Sequence, residues 1–252
     1  MKYMLLVYSP ESSWTTEQWK QCVETSMGIC QELVQKGQLI AASPLHPVAT
    51  AKTIRVRDGQ PVLTTGPFAE TAEQLGGFYI LDVPDLDVAI QIAARLPAAK
   101  KGTVEIRPVF KLDGLPKELF NNQAAISDPE QQSWKQFMFL CYDDEQYWQQ
   151  AGADALRSAM AEAVQLTHQL NEQGMFVSAA PLHPSTTATS VRIRDGQRTI
   201  TDGPFAETRE VLGGFYVIRA ASIEQALQYA QHHSGARVGA VEVRQVFDVR
   251  NV

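Results

Sequence analysis

Apolar and polar positions follow a pattern along this chain that occurs twice. Tyr3 to Tyr8 is apolar at nearly every position, which predicts a strand covered on both faces and therefore central in its sheet. Trp19, Val23, Met27, Cys30, Leu33 and Val34 then recur at helical spacing, with Thr16 as the predicted N-cap and Gly37 beyond the end. Gln38 to Ser43 reads as a second strand, closed by Pro44-Leu45-His46-Pro47. The proline after His46 disfavours helical backbone for the histidine and holds it extended. Thr53 to Arg57 alternates, reaches Asp58-Gly59 and returns through Val62 to Thr64, the signature of a two-residue hairpin. Gly76-Gly77-Phe78-Tyr79-Ile80-Leu81 is a second doubly apolar strand whose glycines permit a bulge or close backbone approach. A helix with Leu86, Ala89, Ile90 and Ala93 on one side and a strand from Val104 to Phe110 complete the set.

The second half repeats this order. Gly66 aligns with Gly203, an offset of 203 − 66 = 137 that holds without a gap from Gly37/Gly174 to Phe110/Phe247. Nearer the start, Tyr8 matches Tyr142 and Trp14 matches Trp148, so the second copy carries three extra residues, placed at Ala151 to Ala153 with the helix beginning near Asp154. The predicted domains are residues 1–110, a connector over 111–136 that wraps the surface, and residues 137–248. Each unit reads β-α-β-hairpin-β-α-β, a split βαβ sandwich. Helices cover only one face of such a sheet, so the doubly apolar central strands require the other unit to cover the second face.

The most specific stretch is Asp202-Gly-Pro-Phe-Ala-Glu-Thr208, followed by Gly213-Gly-Phe-Tyr216 and preceded by Arg192-Ile-Arg-Asp-Gly196. The first copy has Thr65 in place of the aspartate and otherwise the same Gly66-Pro-Phe-Ala-Glu-Thr71. This string resembles the YCII-related family, in its DGPF-motif branch, across both halves. The resemblance implies an α+β fold of two tandem ferredoxin-like units forming an intramolecular dimeric α+β barrel, which single-repeat relatives build as a homodimer. It also implies an activity that is mostly unassigned. Related members are thought to pair a helix-borne histidine with the motif aspartate, and neither first helix here offers an obvious match to that histidine.

The remaining candidates come from side chains shared by the copies. Asp202 and His183 are the candidate acid/base pair, with His46 the equivalent histidine of the first copy. Asp202 is equally suited to forming a turn before Gly-Pro. Arg55 and Arg57, and again Arg192 and Arg194, project from one face of their hairpin strands, as bidentate carboxylate binding requires. Glu105 with Arg107, and Glu242 with Arg244, likewise share a strand face, and the whole charged set reads either as a solvated salt-bridge face or as a polar pocket for an anionic metabolite. Glu70 and Glu207 read as caps of the turn after the motif, and His232-His233 as a positive helix end.

Composition narrows the partners. A net charge of −6 without a local run of Lys or Arg points away from nucleic acid and anionic membranes. Three cysteines, unmatched between the copies and without Cys-x-x-Cys spacing, encode neither a disulfide framework nor a zinc site, and a reducing cytoplasm is the expected compartment. No apolar stretch reaches the roughly 20 residues of a membrane span. No phosphate-binding glycine loop, zinc-enzyme spacing or nucleophile elbow is present, so neither a cofactor nor a metal is expected. The reading favours binding of a small metabolite, an anionic one being its sharper form, in a pocket at the repeat interface, with a small-molecule acid/base enzyme using Asp202 and His183 as the alternative. Self-association beyond the internal pseudo-dimer stays open. Loss of the acid at Thr65 leads us to expect an asymmetric site centred on the second motif loop.

Overall fold

A computed structural model describes residues 1–69, 71–112, 131–206 and 208–249. Glu70, Glu207 and most of the connector, residues 113–130, lie outside the described residues, so the turn-capping glutamates and the surface wrap concern residues not described here.

The first unit runs β1 (Lys2–Ser9), α1 (Thr16–Gln35), β2 (Leu39–Pro44), the hairpin β3 (Lys52–Arg57) and β4 (Gln60–Thr65), β5 (Gln74–Asp82), α2 (Leu86–Arg95) and β6 (Thr103–Pro108). The second runs β7 (Lys135–Asp144), α3 (Glu145–Ala151), α4 (Ala153–Glu172), β8 (Phe176–Pro181), the hairpin β9 (Thr189–Arg194) and β10 (Gln197–Asp202), β11 (Glu210–Ala220), α5 (Ile223–Ala230), α6 (Gly235–Val238) and β12 (Ala240–Gln245). Four strands of each unit form an antiparallel ferredoxin-like sheet, in the orders β6-β1-β5-β2 and β12-β7-β11-β8.

The hairpins do not stay with their own units. β9 pairs with β6 of the first unit, matching Val104 with Val191 and Ile106 with Thr189, and β3 pairs with β12 of the second, matching Val241 with Ile54. Each sheet thus has six strands, two of them borrowed, in the orders β10-β9-β6-β1-β5-β2 and β4-β3-β12-β7-β11-β8. Both turns behave as the Asp-Gly pairs require, with Asp58, Gly59, Asp195 and Gly196 all at positive φ.

Strand alternation divides the core into three layers. Tyr3, Leu5, Tyr79 and Leu81 face α1 and α2, whereas Met4, Leu6, Phe78 and Ile80 face inward and meet Met138, Leu140, Phe215 and Val217 of the other sheet. Phe137, Phe139, Tyr216 and Ile218 form the second outer layer, under α4 and α5. The central strands are apolar on both faces because one face lies under helices and the other lines the barrel. The barrel closes where the two extended histidines stitch the sheets together: His46 N–H donates to Gln245 O at 3.0 Å and His183 N–H to Pro108 O at 3.0 Å. Beside them lie the bridges Leu45–Val246 and Val109–Leu182.

Local details refine the sequence expectations. The α1 cap is Thr15, one residue before the expected Thr16, in a capping box with Gln18. The three-residue insertion is not a loop; Gly152, at φ 87°, joins α3 to α4, where the first unit has only the single turn Glu11–Ser13. The Gly-Gly pairs lie inside β5 and β11 instead of at their starts, and they bring backbones close as expected, since a Cβ on Gly77 would sit 2.9 Å from Ser43 O and one on Gly214 3.0 Å from Ala180 O. No helix among the described residues is long and apolar enough to cross a membrane.

Candidate functional site

Glu105 and Arg107 alternate with Val104 and Ile106, which pack under the helices, so both charged side chains point into the barrel. Glu242 and Arg244 do the same from β12. This corrects the solvated salt-bridge reading: both arginines are only 1% exposed, because the face opposite the helices is the barrel interior. Arg107 Nη1 donates to Glu105 at 3.3 Å, and its Nη2 donates to the carbonyl of His183. Arg244 lies 3.7 Å from Glu242 and donates to the carbonyls of Leu75, at 2.6 Å, and His46. The Nε of each arginine has no partner among the described residues. Burial pushes the Glu242 carboxyl up, and the Arg244 guanidinium works against that shift. Neutral hydrophobic replacements often match such buried pairs in stability, whereas loss of one partner is costly.

The motif loops rest on these glutamates across the unit boundary. Glu105 accepts the backbone N–H of Phe205 at 2.9 Å, and Glu242 accepts that of Phe68 at 2.8 Å. Phe205 stacks on Tyr8 at 3.9 Å between ring centroids and Phe68 on Tyr142 at 4.3 Å, again from one unit to the other. Burial, then the facing Glu105, raises the Tyr8 hydroxyl well above its ordinary range; burial, then Glu242, does the same to Tyr142. The loops and these groups enclose a cavity of about 70 Å³. That space suits a few waters or a small ion, not a metabolite.

Asp202 and His183 are not brought together by a hydrogen bond among the described residues. Asp202 ends β10 opposite Thr189, exposed and with no side-chain partner among the described residues, including the neighbouring backbone that a turn-forming role would use. Thr65 in the equivalent place accepts from Lys52 Nζ at 3.0 Å. The scaffold beneath is the same in both copies: Thr53 and Ser190 hydroxyls donate to Gly66 O and Gly203 O, each at 3.0 Å. The His183 ring packs edge-on to Phe110 and the His46 ring against Phe247, and burial holds the His46 imidazole below its ordinary range.

The hairpin arginines cap the opposite unit. Arg194 donates to Ala99 O at 2.9 Å and Gly102 O at 3.1 Å, and Arg192 Nε donates to the Thr103 hydroxyl at 2.6 Å. Arg57 reaches Ala236 O at 3.0 Å, Arg237 O at 3.1 Å and Gly239 O at 2.9 Å. Arg55 pairs with Glu210 at 3.3 Å, donates to Gly239 O at 3.1 Å and lies over the Phe68 ring. These carbonyls end short helical turns, where a cation is favoured.

A much larger cavity, about 970 Å³, lies between α1 and the first sheet. Trp14, Trp19, Phe78 and Tyr79 line it with Cys22, Ser26, Cys30 and Leu39, and Phe247 and Val249 border it from the second unit. The Trp14 indole N–H donates to the Ser9 hydroxyl at 2.9 Å, and Trp19 meets Phe247 edge-on at 5.1 Å. Burial raises the Cys30 thiol to about 11 and keeps Tyr79 protonated. Among the described residues no group of three His, Cys, Asp or Glu is placed to hold a metal.

A family model described as the YCII-related domain matches residues 1–113 and again residues 136–250. The chain belongs to the YCII-related family. An uncharacterized protein of Rhizobium meliloti (strain 1021) is 35% identical over 114 residues, 43% of this chain and 92% of that protein. The crystal structure of a putative chlorite dismutase aligns over 98% of this chain and 94% of its own, at 9% identity and a TM-score of 0.46.

In this tandem YCII-related protein, the sequence motif and the large cavity are thus different places. Sequence reasoning singled out groups present in both copies, whereas part of the cavity lining differs between them: Cys22, Ser26, Cys30 and Leu39 stand where the second unit has Ala159, Ala163, Thr167 and Phe176. The signal that could have found them was this list of differences on otherwise aligned helix and strand positions.

Proposed function

We propose that this YCII-related protein binds a small organic molecule in the cavity between α1 and the first sheet. The observation that carries the reading is the size and lining of that cavity: about 970 Å³, mostly apolar and aromatic, with a few hydroxyls among them. Its border at Phe247 and Val249 places it against the other repeat, so both units shape it. The chamber beneath the motif loops, at about 70 Å³, is too small for the same role. An anionic ligand held by Arg55, Arg57, Arg192 and Arg194 draws less support, because those side chains already donate to carbonyls and side chains of the opposite unit. Acid/base catalysis by Asp202 with His183 draws less as well, since no hydrogen bond joins them among the described residues and the His183 ring packs on Phe110.

A thermal-shift screen of uncharged organic fragments against the full chain tests this, because a ligand selective for the native state raises its stability. The double variant Leu39→Phe/Ser26→Leu partly fills the cavity from β2 and α1, its phenylalanine reproducing Phe176 of the second unit. Stabilisation by fragments that disappears in the filled variant is expected; stabilisation that persists in it would overturn the assignment.

A further inference from the structure

We infer that the occupant of the α1 cavity is an uncharged, flat aromatic molecule of more than one ring that carries a hydroxyl or carbonyl oxygen. The inference rests on the reading of the cavity as a ligand site and adds the class of ligand.

Charge is decided by the lining. Among the described residues no Lys, Arg or His lines the cavity; Lys101 lies behind it on the Trp14 ring, at 4.5 Å, and donates to Ser13 O and to Gln18 Oε1 at 2.7 Å. The one charged lining residue, Glu11, already accepts the Val48 N–H at 2.7 Å. A carboxylate or phosphate would be desolvated there with no counter-ion in the lining, and a charge buried without a direct partner is strongly disfavoured. Both lining thiols are held protonated by burial and present neutral, polarizable surface.

Shape is decided by the aromatic residues. Trp14, Trp19, Tyr79 and Phe247 are spread around one space, and aromatic rings gain most from stacked or edge-on partners. A cavity of about 150 Å³ already accommodates one benzene ring, so about 970 Å³ leaves room for a fused system. The polar requirement comes from Tyr79 and Ser26. Both border the cavity, Tyr79 from β5 and Ser26 from α1, and Tyr79 stays protonated, so together they offer a neutral oxygen both a donor and an acceptor. In the second unit the corresponding Tyr216 hydroxyl donates to the backbone carbonyl of Ala163 at 3.0 Å.

Quenching of tryptophan fluorescence in the full chain tests the class, with 2-naphthol, naphthalene, 2-naphthoate and 1-decanol as probes. Saturable quenching by 2-naphthol is expected, with 2-naphthoate at least about tenfold weaker because its charge is unpaired in the site. Tyr79→Phe is expected to weaken 2-naphthol about three- to tenfold while leaving naphthalene unchanged, as loss of one hydrogen bond would. Equal binding of 2-naphthoate, tighter binding of 1-decanol measured by competition, or no saturable quenching by 2-naphthol overturns the ligand class. In the first two cases, loss of binding in Leu39→Phe/Ser26→Leu leaves the cavity as the site. Undiminished 2-naphthol binding in that filled variant overturns the site itself. Circular dichroism checks that the filled variant folds, and Leu39→Phe alone, a single substitution to the residue that the second unit carries at Phe176, replaces it if it does not, with weakened 2-naphthol binding expected and undiminished binding overturning the site.

Discussion

Helices α1 and α4 are both 20 residues long, occupy the same place in their units, and lie on their sheets differently. Under α4, Ala159, Thr167 and Phe176 are buried, and the His233 ring fills the space against Tyr216 at 5.4 Å. Under α1 the corresponding Cys22, Cys30 and Leu39 are only partly buried and line an open cavity, with Leu96 in place of the histidine. His233 is a neutral packing group and not the positive helix end expected from its position, since burial lowers it to about 4. Between the sheets no such divergence exists. Glu105 and Glu242, Arg107 and Arg244, Tyr8 and Tyr142, and the two motif phenylalanines make the same cross-unit contacts. The interior is one space built by both units, so a change in either must suit the other. The outer layers are separate, and each can change alone.

The largest effects are expected where the units are alike. Arg107→Met and Arg244→Met each leave a glutamate buried without its guanidinium, and each is expected to lose about 3–5 kcal/mol in denaturant melts. Phe78→Ala and Phe215→Ala, buried within the same interior, are expected to lose about 3–5 kcal/mol as well. Values that differ by more than a factor of two within either pair would break the claim of a shared interior.

The next comparison is between Ser9 and Asp143, which receive the indole N–H of Trp14 and Trp148 respectively. Burial raises the Asp143 carboxyl to about 6. The folded protein therefore holds this proton more tightly than the unfolded chain does, so stability falls as pH rises from about 4 through 6. Asp143→Asn is expected to remove that loss and to exceed the parent by about 1–3 kcal/mol at pH 8, with no gain at pH 4. Melts at the two pH values check it, and an equal change at both would remove the titration from the account.

Smaller effects sharpen the contrast of the outer layers. Phe176→Leu opens a void in the filled unit and is expected to cost about 1–2 kcal/mol, whereas Leu39→Phe enters open space and is expected to change stability by less than about 1 kcal/mol. The smallest effect belongs to the motif's first position. Asp202→Asn and Thr65→Ala are each expected to stay within about 0.5 kcal/mol, because both side chains are exposed. A larger loss from Asp202→Asn alone would restore that aspartate as the element that distinguishes the copies.

Where the candidate sites could be read in advance, a shared motif announced them. The motif loop was visible in Gly203-Pro204-Phe205, yet its structural partner is Glu105, about a hundred positions earlier and in the other unit. The arginines at 192 and 194 were visible as a face, but the Thr103 hydroxyl and the Ala99 and Gly102 carbonyls they hold belong to the first unit. The cavity announced itself least, because a void is a sum over side chains on different elements and no single residue encodes it.

By itself the sequence determined the two units, their element order, the Asp-Gly turns, and the need for each sheet to have a second cover. Those features follow from local propensity and from the period of apolar positions, both carried by neighbouring residues. Tertiary structure alone decided which sheet each hairpin joins, since the alternating strands 53–57 and 190–194 would fit any open edge of matching twist. It also decided that the glutamate–arginine face lies inside the barrel and that α1, not α4, stands over open space. Such outcomes depend on how two distant surfaces fill the volume between them, and only the folded chain brings those surfaces together.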